Sequence, residues 1–259
     1  MTDLFIKTYG NKNNQAIVFL HGFPFDHQLW EEQVKELKEN YFCISFDIRG
    51  LGKSEVGDGQ YTLEKYSDDL IQLVKSHKLN KPVLCGMSMG GYILLRSVEK
   101  EHDLFGGIVL INTKSEADND FVKLKRGEGI EKINSEGLKK FNKEFITPLF
   151  SQKTIKSNTK LIDKIIRRAN KSNPVGVKAA LLAMASRTDT TESLTKISLP
   201  TLVLCGKQDK LTPPEVMEEM AGKIVGSEFF TIPAAAHMAP VENSNFVNKK
   251  IKSFVKKIG

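Results

Sequence analysis

The sequence predicts a mostly parallel α/β sheet flanked by helices and interrupted by a helical insertion, on three observations. Short apolar or β-branched runs alternate with amphipathic stretches up to residue 111, apolar residues then recur only at three- and four-residue spacing to about 187, and the strand rhythm resumes after Pro200. Runs near 4–8, 16–20, 42–46, 82–86 and 106–111 read as strands, each ending in a turn cluster, and 27–39, 62–78 and 89–101 read as helices among them. Within the insertion, Leu161, Ile162, Ile165, Ile166 and Ala169 form one helical stripe, and Val177, Ala180, Leu181 and Met184 another. Beyond it, 201–205 and 228–232 are strands separated by a helix near 214–224, and an amphipathic helix from about 242 to 257 closes the pattern. The expected organisation is a core of residues 1–112 and 191–259 with a helical cap of residues 113–190.

Composition narrows the function classes. At 259 residues, 40% hydrophobic and 27% charged, the chain can bury a sizeable core, so a disordered or fibrous protein does not fit. Its longest apolar runs, such as Ala16 to Leu20 and Thr201 to Cys205, are of strand length, far below the roughly 18 residues that span a bilayer. The first residues lack the basic and apolar regions of a secretory leader, so the expectation is a cytoplasmic protein with no membrane partner. Cys43, Cys85 and Cys205 each sit in a strand-like run without CxxC spacing and read as small buried hydrophobes. The net charge of +7 is concentrated: residues 113–190 hold 17 Lys and Arg against 9 Asp and Glu, whereas the remainder holds 21 against 22. An excess confined to one helical segment does not read as a nucleic-acid footprint. It is either a solvated cap surface or one that attracts an anionic substrate or an acidic carrier protein.

The chemistry starts at Gly86-Met-Ser88-Met-Gly90, directly after a predicted strand and directly before a predicted helix. A G-x-S-x-G match alone arises by chance in about one chain in ten of this length. Here the context adds weight, because small residues on both sides let the backbone turn sharply and leave Ser88 exposed at the sheet's carboxyl edge. A serine hydroxyl needs a base, and the base needs a carboxylate. Asp209 lies four residues beyond the strand ending near Cys205 and His237 five beyond the next, so both reach the same edge as Ser88. The amides of Phe23, after Phe19-Leu-His21-Gly22, and of Met89 are candidate donors to an oxyanion. His21 reads as a loop brace, His77 and His102 as structural residues near helix C-termini, and His27 as an exposed residue opening a helix.

Together His21-Gly-Phe-Pro24, Asp47-Ile-Arg-Gly-Leu-Gly-Lys-Ser54, Gly86 to Gly91, Gly206-Lys-Gln-Asp209 and Ala236-His237 resemble the α/β-hydrolase superfamily. Within it, the stretch from Asn170 through Asp189 to Leu199-Pro-Thr201 is similar to small-molecule esterases related to 3-oxoadipate enol-lactonase. The resemblance implies a cap inserted after the sixth strand, Ser88 as nucleophile, His237 as general base and acid, Asp209 as orienting acid, Phe23 and Met89 as oxyanion donors, and neither metal nor organic cofactor. Haloalkane dehalogenases and epoxide hydrolases of the superfamily place Asp at the nucleophile position, so Ser88 argues against both. Some relatives put the acid where Asn112 stands, but an amide carries no charge, which favours Asp209. Ala236 replaces a glycine frequent in relatives. Gly50-Leu-Gly52-Lys53-Ser54 looks like the end of a phosphate-binding loop, but Asp47 occupies the place of its first glycine. Phe23, Trp30, Met89 and Met238 are the expected substrate-pocket residues. The function implied is hydrolysis of small carboxylic esters or lactones; the alternatives are an esterase acting on acyl groups of an acidic carrier protein, or a non-catalytic receptor of the same fold.

Overall fold

The structure, a computed structural model, describes residues 3–57 and 61–258. Seven strands form one sheet among these residues: β1 (Ile6–Tyr9), β2 (Ala16–Leu20), β3 (Phe42–Phe46), β4 (Val83–Met87), β5 (Gly107–Ile111), β6 (Thr201–Gly206) and β7 (Glu228–Ile232). Their order is β1-β3-β2-β4-β5-β6-β7, with β1 antiparallel to β3 and every other pairing parallel. Every residue of β2 to β6 is buried, as continuous apolar runs in a sheet covered on both faces require.

The helices are α1 (Glu31–Leu37), α2 (Leu63–Ser76), α3 (Met89–Lys100), α4 (Asp120–Glu136), α5 (Leu138–Ile146), α6 (Gln152–Ser157), α7 (Thr159–Ala169), α8 (Pro174–Ala185), α9 (Pro214–Gly222), α10 (Ala239–Glu242) and α11 (Ser244–Ile258). The expected helix 27–39 is a single 3-10 turn, His27–Trp30, followed by α1, and the last expected helix is divided into α10 and α11. The insertion α4 to α8 follows the fifth strand and not the sixth. Five apolar runs precede it in this chain, and the count of six came from the resemblance alone.

Alternate residues of each strand feed two cores. Val18, Leu20, Ile44, Leu84 and Leu110 face α2, α3 and part of the inserted helices, whereas Ile17, Phe19, Cys43, Cys85 and Val109 face α1 and α11. The chain leaves β2 toward β3 on one side and later leaves β4 toward β5 on the other. The sheet therefore reverses direction between β2 and β4, where open α/β sheets form their crevice at the carboxyl ends. The three cysteines are buried and free, and burial pushes the Cys43 thiol up to about 12. No helix among the described residues is long and apolar enough to cross a membrane.

The two ends of the inserted segment are tied together. Ser115 O accepts from both the amide and the hydroxyl of Thr190 at 3.1 Å, and Asp189 accepts from the Ala117 amide. Beside them Asp118 is buried between Arg187 at 3.0 Å and Arg126 at 3.1 Å, with the Arg187 guanidinium 4.0 Å from the Tyr92 ring centre. The inserted helices then lie over the loops at the sheet's carboxyl edge: Gly52 N–H donates to Ser172 Oγ, and Phe23 meets Phe141 and Phe145 edge-on.

The closest approach is at Gly176 in α8, where a Cβ atom would lie 1.8 Å from Gly50 O, a backbone atom that cannot swing aside. Gly176→Ala is expected to cost about 2–3 kcal/mol by overpacking. Gly127, exposed in α4 with nothing within 4 Å of its added Cβ, provides the contrast. Gly127→Ala is expected to stabilise by roughly 0.5–1 kcal/mol through reduced unfolded-chain entropy. Urea unfolding of both variants checks the opposite signs.

Candidate active site

Ser88 occupies the turn between β4 and α3 with φ 52° and ψ −118°, a conformation that costs a non-glycine residue on the order of 1–3 kcal/mol. Several contacts hold it there. Its amide donates to Ile111 O at 3.0 Å, and its carbonyl accepts from Gly91 N–H and Thr113 Oγ1, both at 2.8 Å. The turn can fold this tightly because Gly90 has no side chain: a Cβ there would lie 2.4 Å from Leu20 O. The serine side chain is nearly buried, and its hydroxyl makes no hydrogen bond to a described residue.

Asp209 and His237 follow β6 and β7. Their two loops touch so closely that a Cβ on Gly206 would meet Ala236 O at 2.0 Å, which explains why the strand ends in glycine. The Asp209 carboxylate accepts five hydrogen bonds. Leu211 and Thr212 amides reach Oδ1 at 2.8 and 3.2 Å, while Asn112 Nδ2, Thr212 Oγ1 and His237 Nδ1 reach Oδ2 at 2.6, 2.6 and 2.8 Å. Burial alone would raise this carboxyl, but the His237 charge and the bonds from His237, Thr212 and Asn112 outweigh it and hold it at about 2. Because Nδ1–H of His237 faces the carboxylate, a neutral ring presents Nε2 as an acceptor. Asn112, at φ 46°, follows the backbone carbonyl that receives the Ser88 amide, so one short segment after β5 contacts both the serine and the acid.

Gly22 packs against the serine turn, where an added Cβ would lie 3.2 Å from Ser88 Cβ. Neither the Phe23 nor the Met89 amide donates to another described residue. His21 braces this loop: its Nε2 accepts from the Ile48 amide at 2.9 Å, so Nδ1–H donates to Gly22 O at 2.8 Å. His27 is not exposed as expected. It is buried, with its amide and Nδ1 at 2.6 and 2.7 Å from Asp47 Oδ1, because the 3-10 turn carries it onto a carboxylate twenty residues away. Arg49 braces the same region through a bidentate pair with Asp69 at 2.7 and 2.8 Å.

A cavity of about 630 Å³ opens beside His237 and Asp209. Its walls are Phe145, Pro148, Leu149, Phe150 and Ile155 of the inserted segment and Leu211 and Ala236 of the core loops, with Gln152, Gln208 and Lys210 as polar members. Three of the expected pocket side chains lie elsewhere. Trp30 is fully buried against Phe19 on the α1 and α11 face, Met238 belongs to the same core, and the Met89 side chain is buried in the opposite one. Phe23 is also buried, but it packs on Phe145, itself a wall of the cavity. Sequence reasoning missed Glu242, whose Oε2 accepts from the Ala236 amide at 2.8 Å and whose Oε1 accepts from Ser151 N–H and Thr154 Oγ1 at 2.9 and 2.6 Å. One carboxylate thus joins the histidine loop to the inserted helices, and since Ser151 and Thr154 lie 91 and 88 residues away in sequence, no local pattern marks it. Among the described residues no cluster of three or more His, Cys, Asp or Glu could hold a metal ion.

Residues 15–244 match the family model of the α/β hydrolase fold. The chain is 29% identical to 3-oxoadipate enol-lactonase 1 of Acinetobacter baylyi, over 98% of this chain and 94% of that protein. A thermophilic esterase from Thermogutta terrifontis, solved with malate bound, superposes with a TM-score of 0.94 at 35% identity, covering 99% of this chain and 94% of the esterase. The enol-lactonase from Burkholderia xenovorans shares the fold at a TM-score of 0.92 and 23% identity, covering 98% and 97% of the two chains.

The depressed Asp209 carboxyl has a sign that can be tested. Its folded value lies below its unfolded one, so its contribution to stability is present above about pH 4 and is lost as pH falls toward 2. Asp209→Asn is expected to remove about 2 kcal/mol from the acid-side fall in unfolding free energy. Urea unfolding of wild type and variant between pH 5 and 2 measures the difference.

Proposed function

The chain belongs to the α/β hydrolase fold family, and on that premise we propose that it cleaves carboxylic esters or lactones of small acyl substrates through an acyl-enzyme formed on Ser88. Its relatives put it among the carboxylic ester hydrolases. The observation that carries the serine mechanism is the Asp209–His237 bond, held at the sheet edge that also carries the strained Ser88 turn. In this reading Nε2 of His237 takes the Ser88 proton as Oγ attacks the ester carbonyl. The Phe23 and Met89 amides then receive the developing oxyanion. The imidazolium, stabilised by the Asp209 carboxylate, returns the proton to the leaving alcohol, and water activated by the same ring releases the acid. Residues 113–190 act as a cap over a core of 1–112 and 191–259, and the 630 Å³ cavity beside His237 receives the acyl group on its apolar wall.

Stoichiometric labelling of Ser88 by an organophosphonate, with turnover on a panel of p-nitrophenyl esters and lactones, tests the proposal. Ser88→Ala is expected to abolish labelling and reduce turnover by several orders of magnitude. Asp209→Asn is expected to lower kcat by roughly 10⁴. A Ser88→Ala variant that keeps a tenth of the activity overturns the assignment, and a folded wild type that neither labels nor turns over any ester is a receptor.

One observation favours a second reading, in which the acyl group arrives on an acidic carrier protein. Helix α6, which lends Ile155 to the cavity wall, also carries Lys153 and Lys156 without carboxylate partners among the described residues. On that reading kcat/KM for the carrier-linked acyl group falls steeply between about 10 and 500 mM salt, as the Debye length shrinks from about 30 Å to under 5 Å. Turnover of a neutral ester of equal length is expected to change little over the same range.

A further inference from the structure

We propose that a hollow beside α1, on the β1–β3 face of the sheet and outside the Asp209–His237 site, binds a small polyanion carrying two or more adjacent phosphoryl groups. The hollow measures about 490 Å³, a ligand-sized volume. Its rim presents Lys7, Lys35, Lys38, Lys53 and Arg168 against a single carboxylate, Glu31, a local balance of +4. That carboxylate is already engaged by two cations, Lys164 at 2.9 Å and Arg168 at 2.8 Å. None of the four lysines has a carboxylate partner among the described residues, and Lys7 and Lys53 lie over the Phe5 ring at 5.4 and 4.6 Å from its centre.

The charge is local, and the fold creates it. Outside residues 113–190 the chain is almost balanced, with 21 basic and 22 acidic residues. Lys35 of α1 and Lys38, which caps the helix end in a helical conformation, follow Glu31 and Val34 at spacings of three and four residues, so the four project to one side. Lys7 stands on β1 opposite Ser45 of β3. Ammonium groups gathered around one hollow repel one another, and a bound polyanion converts that repulsion into attraction.

The floor adds polar groups that no internal contact satisfies. Ser45 is 1% exposed and lines the hollow, and its hydroxyl has no hydrogen-bond partner among the described residues. His27 lines it too, giving its Nδ1 side to Asp47 and leaving Nε2 without a described partner. The Asp47 carboxylate beneath does not repel an anion freely, since it is occupied by the His27 amide and ring and by the Lys53 amide at 2.8 Å. Separate point-charge donors around a buried hydroxyl suit clustered phosphoryl oxygens, whereas a planar carboxylate is better matched by an arginine fork.

Isothermal titration of the full chain with inorganic pyrophosphate at low salt tests the site. One saturable site is expected, with affinity reduced about tenfold or more in Lys35→Gln/Lys38→Gln and in Lys7→Gln/Lys53→Gln, and reduced in Ser45→Ala, which removes no charge. Lys249→Gln/Lys256→Gln on α11 makes the same charge change elsewhere and is expected to bind like wild type. Triphosphate and ATP titrated in parallel distinguish sources: equal affinity assigns the site to the phosphate chain, and tighter ATP binding adds the nucleoside. Absence of saturation at 1 mM pyrophosphate overturns the proposal, as does an equal loss in the α11 variant or full retention in both hollow variants.

Discussion

A buried carboxylate is tolerated only when its lone pairs are filled, and Asp209 fills them from three directions. Asn112 comes from the end of β5, Leu211 and Thr212 from the loop after β6, and His237 from the loop after β7. Satisfying that one charge therefore sets the relative placement of three successive strand ends. It also accounts for details that have no chemical role of their own. Gly206 must be small because the histidine loop crosses it, and the amide after Asn112 turns back to Met217 Sδ of α9 at 3.2 Å. The serine turn joins the same framework through the Ile111 carbonyl.

The inserted helices are held by the loops at this edge. Phe23, next to the Gly22 that packs on the serine turn, takes Phe141 and Phe145; Gly50 and Gly52 after β3 take Gly176 and Ser172; Glu242 after the histidine takes Ser151 and Thr154. Loops that shape the candidate site thus also hold the inserted helices. Helix α6 is linked to the amide next to His237 through a single carboxylate.

The strand rhythm, the Ser88 turn and the placement of Asp209 and His237 were legible because each depends on residues a few positions apart. What escaped depends on contacts between distant elements. His27 read as exposed because its partner Asp47 is brought near only when the 3-10 turn packs on the end of β3. Met89 and Met238 read as pocket residues because they adjoin Ser88 and His237 in sequence, and Trp30 because it follows the Phe23 loop, yet successive side chains at a turn leave in different directions. These three enter the cores. The observed cavity walls Phe145, Pro148, Leu149 and Phe150 lie at the end of α5 and in or directly after the 3-10 turn Thr147–Leu149 that follows it, where no apolar stripe marks which partner they meet.

The tied stem of the inserted segment has a consequence for modularity. Ser115 and Thr190 share hydrogen bonds, so the five helices between them leave and rejoin the sheet domain at one point. Removing or exchanging everything between those residues would leave only a short gap to close, and the entropy of closing a loop grows slowly with its length. The exchange would still have to respect the buried Asp118 and Arg187 pair, with Arg126, at the base of the stem. A replacement segment of different size that carries its own salt-bridged stem could therefore be grafted onto this sheet at the same two residues.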